Sequence, residues 1–336
     1  MKNDFTHYLT KFFAEHLPSI KGLSTNTVSS YKDTFLLFIN FLDNEKKTNI
    51  DKLMIKDITK EIVEDFLNYL EIKRKNCIAT RNQRLAAIQS FFNYLRYKDL
   101  SYMEQASTIK SIPHKKSPTK SISYFTMEEI KILLNIPNTK LKNEYKDYVL
   151  LLFMYETGCR ASELTSFKMK QVRFGQPTTV ILHGKGNKNR VIPLSSSFSN
   201  ILEKYILHFK KTNQDSYLFL SNQLKPYTSK GIEYILKKYV EEARERNSNL
   251  FKDNYHNHSM RHTRAMHLLE AGVNLIYIRD FLGHSSVKTT EIYAKVCTQN
   301  KIDALEKVYE NVSEISEKDW TSNKDLMDWL ANLAKK

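Results

Sequence analysis

The sequence predicts a mainly α-helical protein with one small β-hairpin or sheet, divided into two domains. Apolar residues recur at the three- and four-residue spacing of amphipathic helices along most of the 336 residues. Two short β-like runs flank a glycine-containing turn at residues 184–189. A serine-, lysine- and proline-rich stretch without periodicity, residues 106–123, separates residues 1–105 from residues 124–310. Each domain is long enough to bury its own core.

Four helices are predicted in the first domain, because apolar residues repeat on one face of each stretch. In the second helix Tyr31, Phe35 and Phe38 follow this spacing, and the segment from Ser24 to Asn26 offers an N-cap. The predicted helices cover residues 5–16, 26–43, 59–70 and 79–97. We therefore expect a small helical bundle.

The last of these helices carries polar side chains that could recognise DNA. Arg81, Asn82 and Arg84 are predicted to lie on its outer face. Arginine and asparagine side chains can bond base edges bidentately in the major groove, so the three residues are candidate DNA contacts. A solvated helix face is the other interpretation, and both stay open at this point.

Residues 106–123 are predicted to form a basic linker. Its length would let the two domains close around a duplex, and its lysines could follow a phosphate backbone. A lysine-rich linker is also simply a soluble one.

The second domain is predicted to combine helices with the hairpin. A capping pattern opens a helix at Thr126, and a buried helix over residues 145–156 ends at Gly158. The hairpin strands are expected at residues 178–183 and 190–194. Further helices are predicted over residues 161–167, 198–209, 230–246, 258–270, 273–282 and 288–294.

The charge balance points to a polyanionic partner. The formal net charge is +15 and the isoelectric point is about 9.4. Such a surplus speeds association with polyanions, and phosphate neutralisation dominates nucleic-acid affinity. DNA, RNA and an anionic membrane surface are all compatible with it, and nucleic acid is favoured because no basic amphipathic anchor stands out.

Other bulk features limit the class of protein. No stretch approaches the roughly 18 apolar residues of a membrane span, and the first residues have no apolar export segment. The expected location is therefore the cytoplasm, in association with the nucleoid. Cys77, Cys159 and Cys297 lie far apart, which predicts reduced thiols rather than disulfides or a zinc site.

A group of residues in the second domain suits the attack of a tyrosine oxygen on a phosphodiester. A free tyrosine titrates near pH 10, so at neutral pH only about one in a thousand is ionised, which is equivalent to about 4 kcal/mol. The non-bridging oxygens need fixed donors, and the leaving oxygen needs a proton. Arg160 and Arg261 offer planar, permanently charged donors that match a phosphate. Glu163, one helical turn after Arg160, is expected to orient a neighbour.

The remaining candidates handle protons and DNA contacts. Lys185, in the hairpin turn, could protonate the leaving oxygen. His258 and His284 titrate near neutral pH and can bond the phosphate or accept a proton. Lys188 and Arg190, in the same hairpin, are predicted DNA contacts.

Five segments of this chain resemble, in order, motifs of the tyrosine site-specific recombinases, the phage-integrase and Xer-type family. The likeness covers about residues 126–294, and the amino-terminal helices look like the core-binding domain of the family. The segments are Thr-Gly-Cys-Arg-Ala-Ser-Glu-Leu, Gly-Lys-Gly-Asn-Lys-Asn-Arg-Val-Ile-Pro-Leu, His-Ser-Met-Arg-His-Thr, Leu-Gly-His-Ser and Thr-Thr-Glu-Ile-Tyr.

The resemblance implies a two-domain recombinase with a helical core-binding domain and an α+β catalytic domain. It implies Tyr293 as the nucleophile, which forms a 3′-phosphotyrosyl link and frees a 5′ hydroxyl, and Glu163 as an acidic supporting residue. It further implies double-stranded DNA sites as partners, a tetramer, a Holliday junction, and no metal or other cofactor. The residues at the other catalytic positions are Arg160, Lys185, His258, Arg261 and His284.

The carboxyl-terminal residues 311–336 are predicted to form an amphipathic helix with its cap at Ser322 or Asn323. Its apolar face includes Trp320 and Trp329. The helix could cover its own domain, or it could dock on a neighbouring subunit of the tetramer, as the resemblance suggests. We expect the second arrangement.

Other functions stay open at this stage. His256-Asn257-His258 has the letters of a metal-dependent nuclease motif, and His258 and His262 have an i, i+4 spacing that can bind zinc. No third ligand is evident, so no metal site is predicted. A DNA-binding protein without catalytic activity is a further alternative. Within the recombinase class we expect a mobile-element recombinase, for a transposon or phage, with Xer-type chromosome or plasmid dimer resolution as the alternative.

Overall fold

The computed structural model describes residues 4–117, 122–184, 189–284 and 290–293. The chain divides into two compact units, Met1–Lys120 and Ser121–Lys336. Helices dominate both units in the described part, and the second unit contains one three-stranded sheet. The predicted fold class is confirmed.

The first unit is a helical bundle. Helix α1 continues into a π-helical segment, Phe12–Ile20, and the side chain of Ser24 caps α2 by accepting a hydrogen bond from the amide of Thr27. The helices are α1 (Asp4–Lys11), α2 (Thr25–Asn44), α3 (Lys60–Ile72), α4 (Ile78–Lys98) and α5 (Met103–Lys110). Helices α1 to α4 follow the apolar spacing of the sequence.

Aromatic rings fill the core of this unit. Phe12 and Phe91 are buried with ring centroids 5.3 Å apart, and Phe35 lies 5.3 Å from Phe91 on the side of α2. Edge-to-face pairs of this kind add to the free energy gained from burying the rings. They hold α2 and α4 against the amino-terminal segment.

The structure places part of the predicted linker inside the first unit. Helix α5 ends at Lys110, and Ala106, Ile109 and Ile112 are buried in the core. The side chain of Gln89 donates hydrogen bonds to the carbonyls of Ile109 and Ile112. The predicted start of the linker at residue 106 is therefore wrong, because three apolar residues at a three-residue spacing lie among the serines and lysines.

The second unit surrounds a buried central helix, α7. The helices are α6 (Met127–Asn135), α7 (Lys142–Thr157), α8 (Ala161–Thr165), α9 (Ser196–His208), α10 (Ser229–Arg246), α11 (Asn257–Glu270) and α12 (Leu275–Leu282). Phe153 on α7 is buried and packs against Phe167, Phe198 and Phe219. Burial on all sides explains why α7 shows little amphipathic pattern.

The sheet is antiparallel, with the strand order β1, β2, β3. The strands are β1 (Val172–Arg173), β2 (Thr179–His183) and β3 (Asn189–Pro193). Val180 pairs with Ile192 and Leu182 pairs with Arg190 across the hairpin. The pairing confirms the two predicted hairpin strands, and Arg190 of β3 donates hydrogen bonds to Glu163 of α8.

Within the described residues, every helix is too short or too polar to span a lipid bilayer.

Candidate active site

The predicted catalytic residues that the structure describes lie on or next to helices of the second unit. Arg160 follows the end of α7, and His284 follows the end of α12. Arg261 lies within α11, and Tyr293 is the last of the described helical residues 290–293. Hydrogen bonds described below connect these segments.

Arg261 ties two of the helix ends together. Its side chain is buried, and its Nη1 atom donates a hydrogen bond to the carbonyl of Gly158 at 2.8 Å. Its Nη2 atom donates to the carbonyl of Leu282 at 2.5 Å. Both carbonyls lie at helix carboxyl ends, where unpaired carbonyls and the helix dipole attract a cation. Burial, followed by the charges of Arg160 and Arg190, lowers the pKa of Arg261 to about 10, so the group is a cation at neutral pH.

Glycine is required at both of these helix ends. Gly158 and Gly283 have φ angles of 56° and 66°, which favour a residue without a Cβ atom. A Cβ atom on Gly158 would lie 3.0 Å from Leu282, and one on Gly283 would lie 3.1 Å from Arg190. The two glycines therefore allow α7, α12 and the hairpin to approach closely.

Glu163 joins two arginines. Its Oε1 atom accepts hydrogen bonds from the Nη1 atoms of Arg160 and Arg190, both at 2.9 Å. Its Oε2 atom accepts from Nη2 of Arg190 at 2.7 Å and from the backbone amide of Arg160 at 2.9 Å. Burial raises the pKa of this carboxyl, but the hydrogen bonds and charges of Arg190 and Arg160 outweigh burial, so the pKa lies below its usual range. Glu163 thus orients Arg160, as the sequence predicts.

Arg190, a predicted DNA contact, binds Glu163 in this structure. Its side chain is 9% exposed, and both of its Nη atoms donate hydrogen bonds to Glu163. A bidentate pair of this kind fixes the geometry of both groups. In this structure Arg190 supports Glu163 of α8, and its role as a DNA contact stays a prediction.

Tyr293 is buried next to a histidine. It is 1% exposed and packs with Met266, Ile278 and Leu282. Its Oη atom lies 2.9 Å from the Nδ1 atom of His262. Burial raises the pKa of Tyr293 to about 12, although Arg261 and Arg160 act in the opposite direction. The hydroxyl therefore keeps its proton at neutral pH.

His262 is a site residue that the sequence reasoning missed. The sequence reasoning considered it only as a zinc ligand with His258. Burial, with the charges of His258 and His256, lowers the pKa of His262 to about 4, so the ring is neutral at neutral pH and Nδ1 can accept the tyrosine proton in a hydrogen bond. The sequence feature that could have identified His262 is its spacing. It lies four residues after the predicted site residue His258, and this spacing puts both rings on the same side of α11.

The two predicted histidines lie near the arginines. His258 is exposed, and partial desolvation, then the charges of His256, Arg261 and Arg160, lower its pKa. The Nδ1 atom of His284 lies 3.0 Å from the hydroxyl of Thr290, which is buried. Burial and the neighbouring arginines lower the pKa of His284 to about 4. Both rings are neutral at neutral pH and can bond a phosphate.

The histidines of α11 do not have the arrangement of a metal site. The rings of His256, His258 and His262 have centroids 6.1–6.4 Å apart. In the ranges that the structure covers, no three histidine, cysteine or acidic side chains are placed to hold a metal ion.

Some predicted residues lie outside the described residues. These are Lys185, Lys188 and the carboxyl-terminal tail, residues 311–336. Their predicted roles stay predictions.

The DNA-contact residues predicted in the first unit make contacts within that unit. Arg81 is 6% exposed, its Nε atom lies 3.2 Å from Glu71, and it donates to the carbonyl of Pro113. The side chain of Asn82 bonds the backbone of Lys115. The prediction that Arg81 lies on the outer face of the helix is therefore wrong. Its guanidinium pairs with a carboxylate and donates a hydrogen bond to a backbone carbonyl within the unit.

Arg84 likewise faces a neighbouring helix. It is partly buried and donates hydrogen bonds to the Ser30 carbonyl and the Thr34 hydroxyl of α2. Arg81, Asn82 and Arg84 thus hold α4 to its surroundings in this structure.

Comparisons of the sequence with known proteins identify two family models and several relatives. Residues 123–300 match the phage integrase family, and residues 10–99 match the phage integrase N-terminal SAM-like domain. A protein described as an integrase/recombinase, y4rC of Sinorhizobium fredii, is 31% identical over 299 residues, which are 89% of this chain and 90% of the relative. The tyrosine recombinase XerC of Caldanaerobacter subterraneus subsp. tengcongensis is 28% identical over 88% of this chain and 85% of the relative.

The fold also matches a solved structure. The Tn1549 transposon integrase in complex with transposon right end DNA has a TM-score of 0.69 over 90% of this chain and 98% of that chain. The two sequences are 16% identical, so this likeness concerns the fold.

Proposed function

The chain belongs to the phage integrase family of DNA strand-exchange enzymes, and on that premise we propose that it is a site-specific recombinase whose nucleophile is Tyr293. One observation supports the assignment of the nucleophile. The Tyr293 hydroxyl forms a hydrogen bond with His262, and the charges of Arg261 and Arg160 act to lower its pKa. Two arginine charges near the tyrosine suit a nucleophile that attacks an anionic phosphodiester.

The proposed reaction is a transesterification. The Oη atom of Tyr293 forms a bond to the phosphorus atom, the bond from phosphorus to the 5′ oxygen breaks, and a 3′-phosphotyrosyl ester and a 5′ hydroxyl result. The tyrosine proton passes to an acceptor in the site, and Lys185 supplies a proton to the leaving oxygen. A 5′ hydroxyl from another strand then attacks the ester and releases the tyrosine. The ester conserves the bond energy, so the proposed reaction requires no ATP, and the arginines are proposed to offset the phosphate charge in place of a metal ion.

Arg160 and Arg261 are proposed to bind the non-bridging oxygens. Glu163 accepts a hydrogen bond from only one of the Nη atoms of Arg160, so the guanidinium keeps N–H groups for a phosphate. The carbonyls of Gly158 and Leu282 fix Arg261 in advance. Removing one preorganised donor of this kind lowers a rate by about 100-fold to 1000-fold.

His258 and His284 are proposed to bond the phosphate as neutral rings. Both lie close enough to Arg160 and Arg261 for the arginine charges to lower their pKa values. A neutral imidazole can donate one hydrogen bond to a phosphate oxygen without adding to the positive charge of the site.

The proposed partner is double-stranded DNA in the cytoplasm, bound by a homotetramer that exchanges strands through a Holliday junction. The net charge of +15 supports a DNA partner. The tail of residues 311–336 is proposed to dock on a neighbouring subunit. We propose a mobile element, a transposon or a phage, as the biological context, supported by the 31% identity to the y4rC integrase/recombinase.

Dimer resolution of the Xer type is the second candidate role, favoured by the 28% identity to XerC over most of both chains. Plasmid substrates carrying the DNA that flanks this gene separate the two roles. A mobile-element recombinase joins element ends into a circle and inserts that circle at a second site. A resolution enzyme recombines two directly repeated copies of one site. Sequenced product junctions decide between them, and Tyr293→Phe is the inactive control.

A further inference from the structure

A group of lysines lies at the end of α7 remote from the candidate active site. Lys142 and Lys146 are on the first turns of this helix, whereas Gly158 and Arg160 follow its last turn. Twelve residues of helix separate Lys146 from Gly158, a distance of about 18 Å at 1.5 Å per residue. The lysines line a cavity of about 550 Å³ between α7, the end of α9 and the turn around Asn222.

Lys146 is a buried cation without a carboxylate partner. It is 7% exposed, and its Nζ atom donates a hydrogen bond to the side-chain oxygen of Asn222 at 2.5 Å. An ammonium group has three N–H donors, and none of the ion pairs found in the described part of the chain includes Lys146. Buried charges are normally paired, because removing a charge from water is costly.

The surroundings of Lys146 add further positive charge. Burial lowers the pKa of Lys146, and the charge of Lys142 acts in the same direction, whereas the charge of Asp147 opposes them. Burial, followed by the charge of Lys146, lowers the pKa of Lys211. The cavity and an adjoining one that shares Asn143, Lys146, Ser221 and Asn222 are lined by several lysines. These lysines are Lys142, Lys146, Lys210, Lys211, Lys225 and Lys238.

The one acidic residue among those that line the two cavities is already engaged. Asp147 accepts a hydrogen bond from the Tyr239 hydroxyl at 3.0 Å. Burial raises the pKa of Asp147, whereas the hydrogen bond from Tyr239 and the charges of Lys146 and Lys238 act in the opposite direction. This single carboxyl therefore offsets only part of the charge of the surrounding lysines.

We propose that this lysine pocket, defined by Lys142, Lys146 and Lys211, is a second anion site that binds a phosphate group. A phosphate oxygen can accept the N–H groups of Lys146 that Asn222 leaves over, and its charge offsets the repulsion among the three ammonium groups. The cavity volume exceeds that of one phosphate, so the group can belong to a free nucleotide or to a DNA backbone. The proposal concerns binding only, so it stands apart from the cleavage chemistry.

Thermal unfolding of the full chain tests the site. Inorganic phosphate and a nucleoside triphosphate are added separately, with sodium chloride at matched ionic strength as the blank. A phosphate ligand at 100 times its Kd is expected to raise the Tm of the wild type by about 5 °C.

Lys146→Met is expected to fold, because an apolar side chain replaces a buried charge that has no carboxylate partner. This variant is expected to lose the shift in Tm. Lys131→Gln, at an exposed position on α6, is the matched control and keeps it. Lys211→Gln is a second variant with a reduced shift.

Binding of short duplex DNA of arbitrary sequence distinguishes the two sources of the phosphate. If the DNA backbone occupies the pocket, the slope of log affinity against log salt falls by about 1 in Lys146→Met but not in Lys131→Gln. If a free nucleotide is the ligand, Lys146→Met loses the shift in Tm but keeps the salt dependence of DNA binding. Identical behaviour of Lys146→Met and Lys131→Gln with phosphate, nucleotide and DNA would overturn the proposal.

Discussion

The Nδ1 atom of His262 lies 2.9 Å from the Oη atom of the buried Tyr293. Burial raises the pKa of the tyrosine to about 12 and lowers the pKa of the histidine to about 4. At neutral pH the hydrogen bond therefore joins two neutral groups, and the tyrosine is held in place with its proton. A phosphate bound at Arg160 and Arg261 would offset the two charges that lower the tyrosine pKa, so in the proposed reaction the tyrosine proton leaves as the bond to phosphorus forms.

The first prediction concerns His262 as a positioning residue. Asparagine places a polar atom near the position of Nδ1, whereas leucine leaves the buried tyrosine hydroxyl without a partner. We expect His262→Leu to slow single-turnover cleavage about 10-fold to 100-fold and His262→Asn to retain most of the rate. Equal rates for the wild type and His262→Leu would show that the hydrogen bond does not position the tyrosine.

The second prediction is a loss of stability in mild acid. His262 and His284 have pKa values of about 4 in the folded chain and about 6.5 when unfolded. Between these values the unfolded chain binds more protons, so stability is complete above pH 6.5 and falls as the pH drops towards 4. Calorimetry should show that His262→Asn/His284→Asn flattens the fall in Tm by roughly 5 °C per pH unit. Parallel curves for the wild type and this variant would argue against neutral, buried histidines.

The third prediction concerns the pair of Glu163 and Arg190, whose side chains are 4% and 9% exposed. Removing one member leaves the other buried without its partner, so Glu163→Gln and Arg190→Gln should each lower the free energy of unfolding by about 3–5 kcal/mol. The double variant should lose less than the sum of the two losses, by at least about 1.5 kcal/mol. Urea unfolding measures this coupling.

The exposed pair of Lys170 and Asp215 is the control for that cycle, since its side chains are 56% and 70% exposed. Solvent screens this pair, so its coupling should be much smaller than that of the buried pair. A coupling for Glu163 and Arg190 that is no larger than this control would contradict a structural role for the buried pair.

The fourth prediction separates structure from DNA contact at Arg81. Because its guanidinium pairs with Glu71 and Pro113, Arg81→Gln should lower stability by about 2–4 kcal/mol and leave the salt dependence of DNA binding unchanged. The exposed Arg74→Gln is the control and should alter stability by less than about 0.5 kcal/mol. A salt slope reduced by about 1 in Arg81→Gln, with stability intact, would restore the DNA-contact interpretation.

The helices and hairpin were predictable because their apolar residues follow simple periods. The cap at Gly158 was predictable too, since a glycine after a long apolar helix commonly takes the left-handed conformation. Helix α5 was missed because Ala106, Ile109 and Ile112 stand among polar residues that are typical of a linker. Three apolar positions are too few to predict a helix from their spacing. Their burial against α4 is evident only from the structure.

The direction in which a polar side chain points was harder to predict. Arg81 and Arg190 were assigned to DNA because arginine suits DNA, yet Glu71 and Glu163 bind them within the chain. Both pairs join residues distant in sequence, so no local spacing reveals them. His262 was overlooked for the same reason, since its partner Tyr293 lies 31 residues away.

Covalent capture of DNA is the most direct test of the proposed function. A nicked duplex from the DNA flanking this gene is incubated with the protein in EDTA and analysed on a denaturing protein gel. We predict a protein–DNA adduct with the wild type and with Tyr277→Phe, whose exposed side chain makes it a matched control, and none with Tyr293→Phe. An adduct that persists in Tyr293→Phe, or cleavage that needs a metal and leaves no adduct, would contradict the assignment of Tyr293 as the nucleophile.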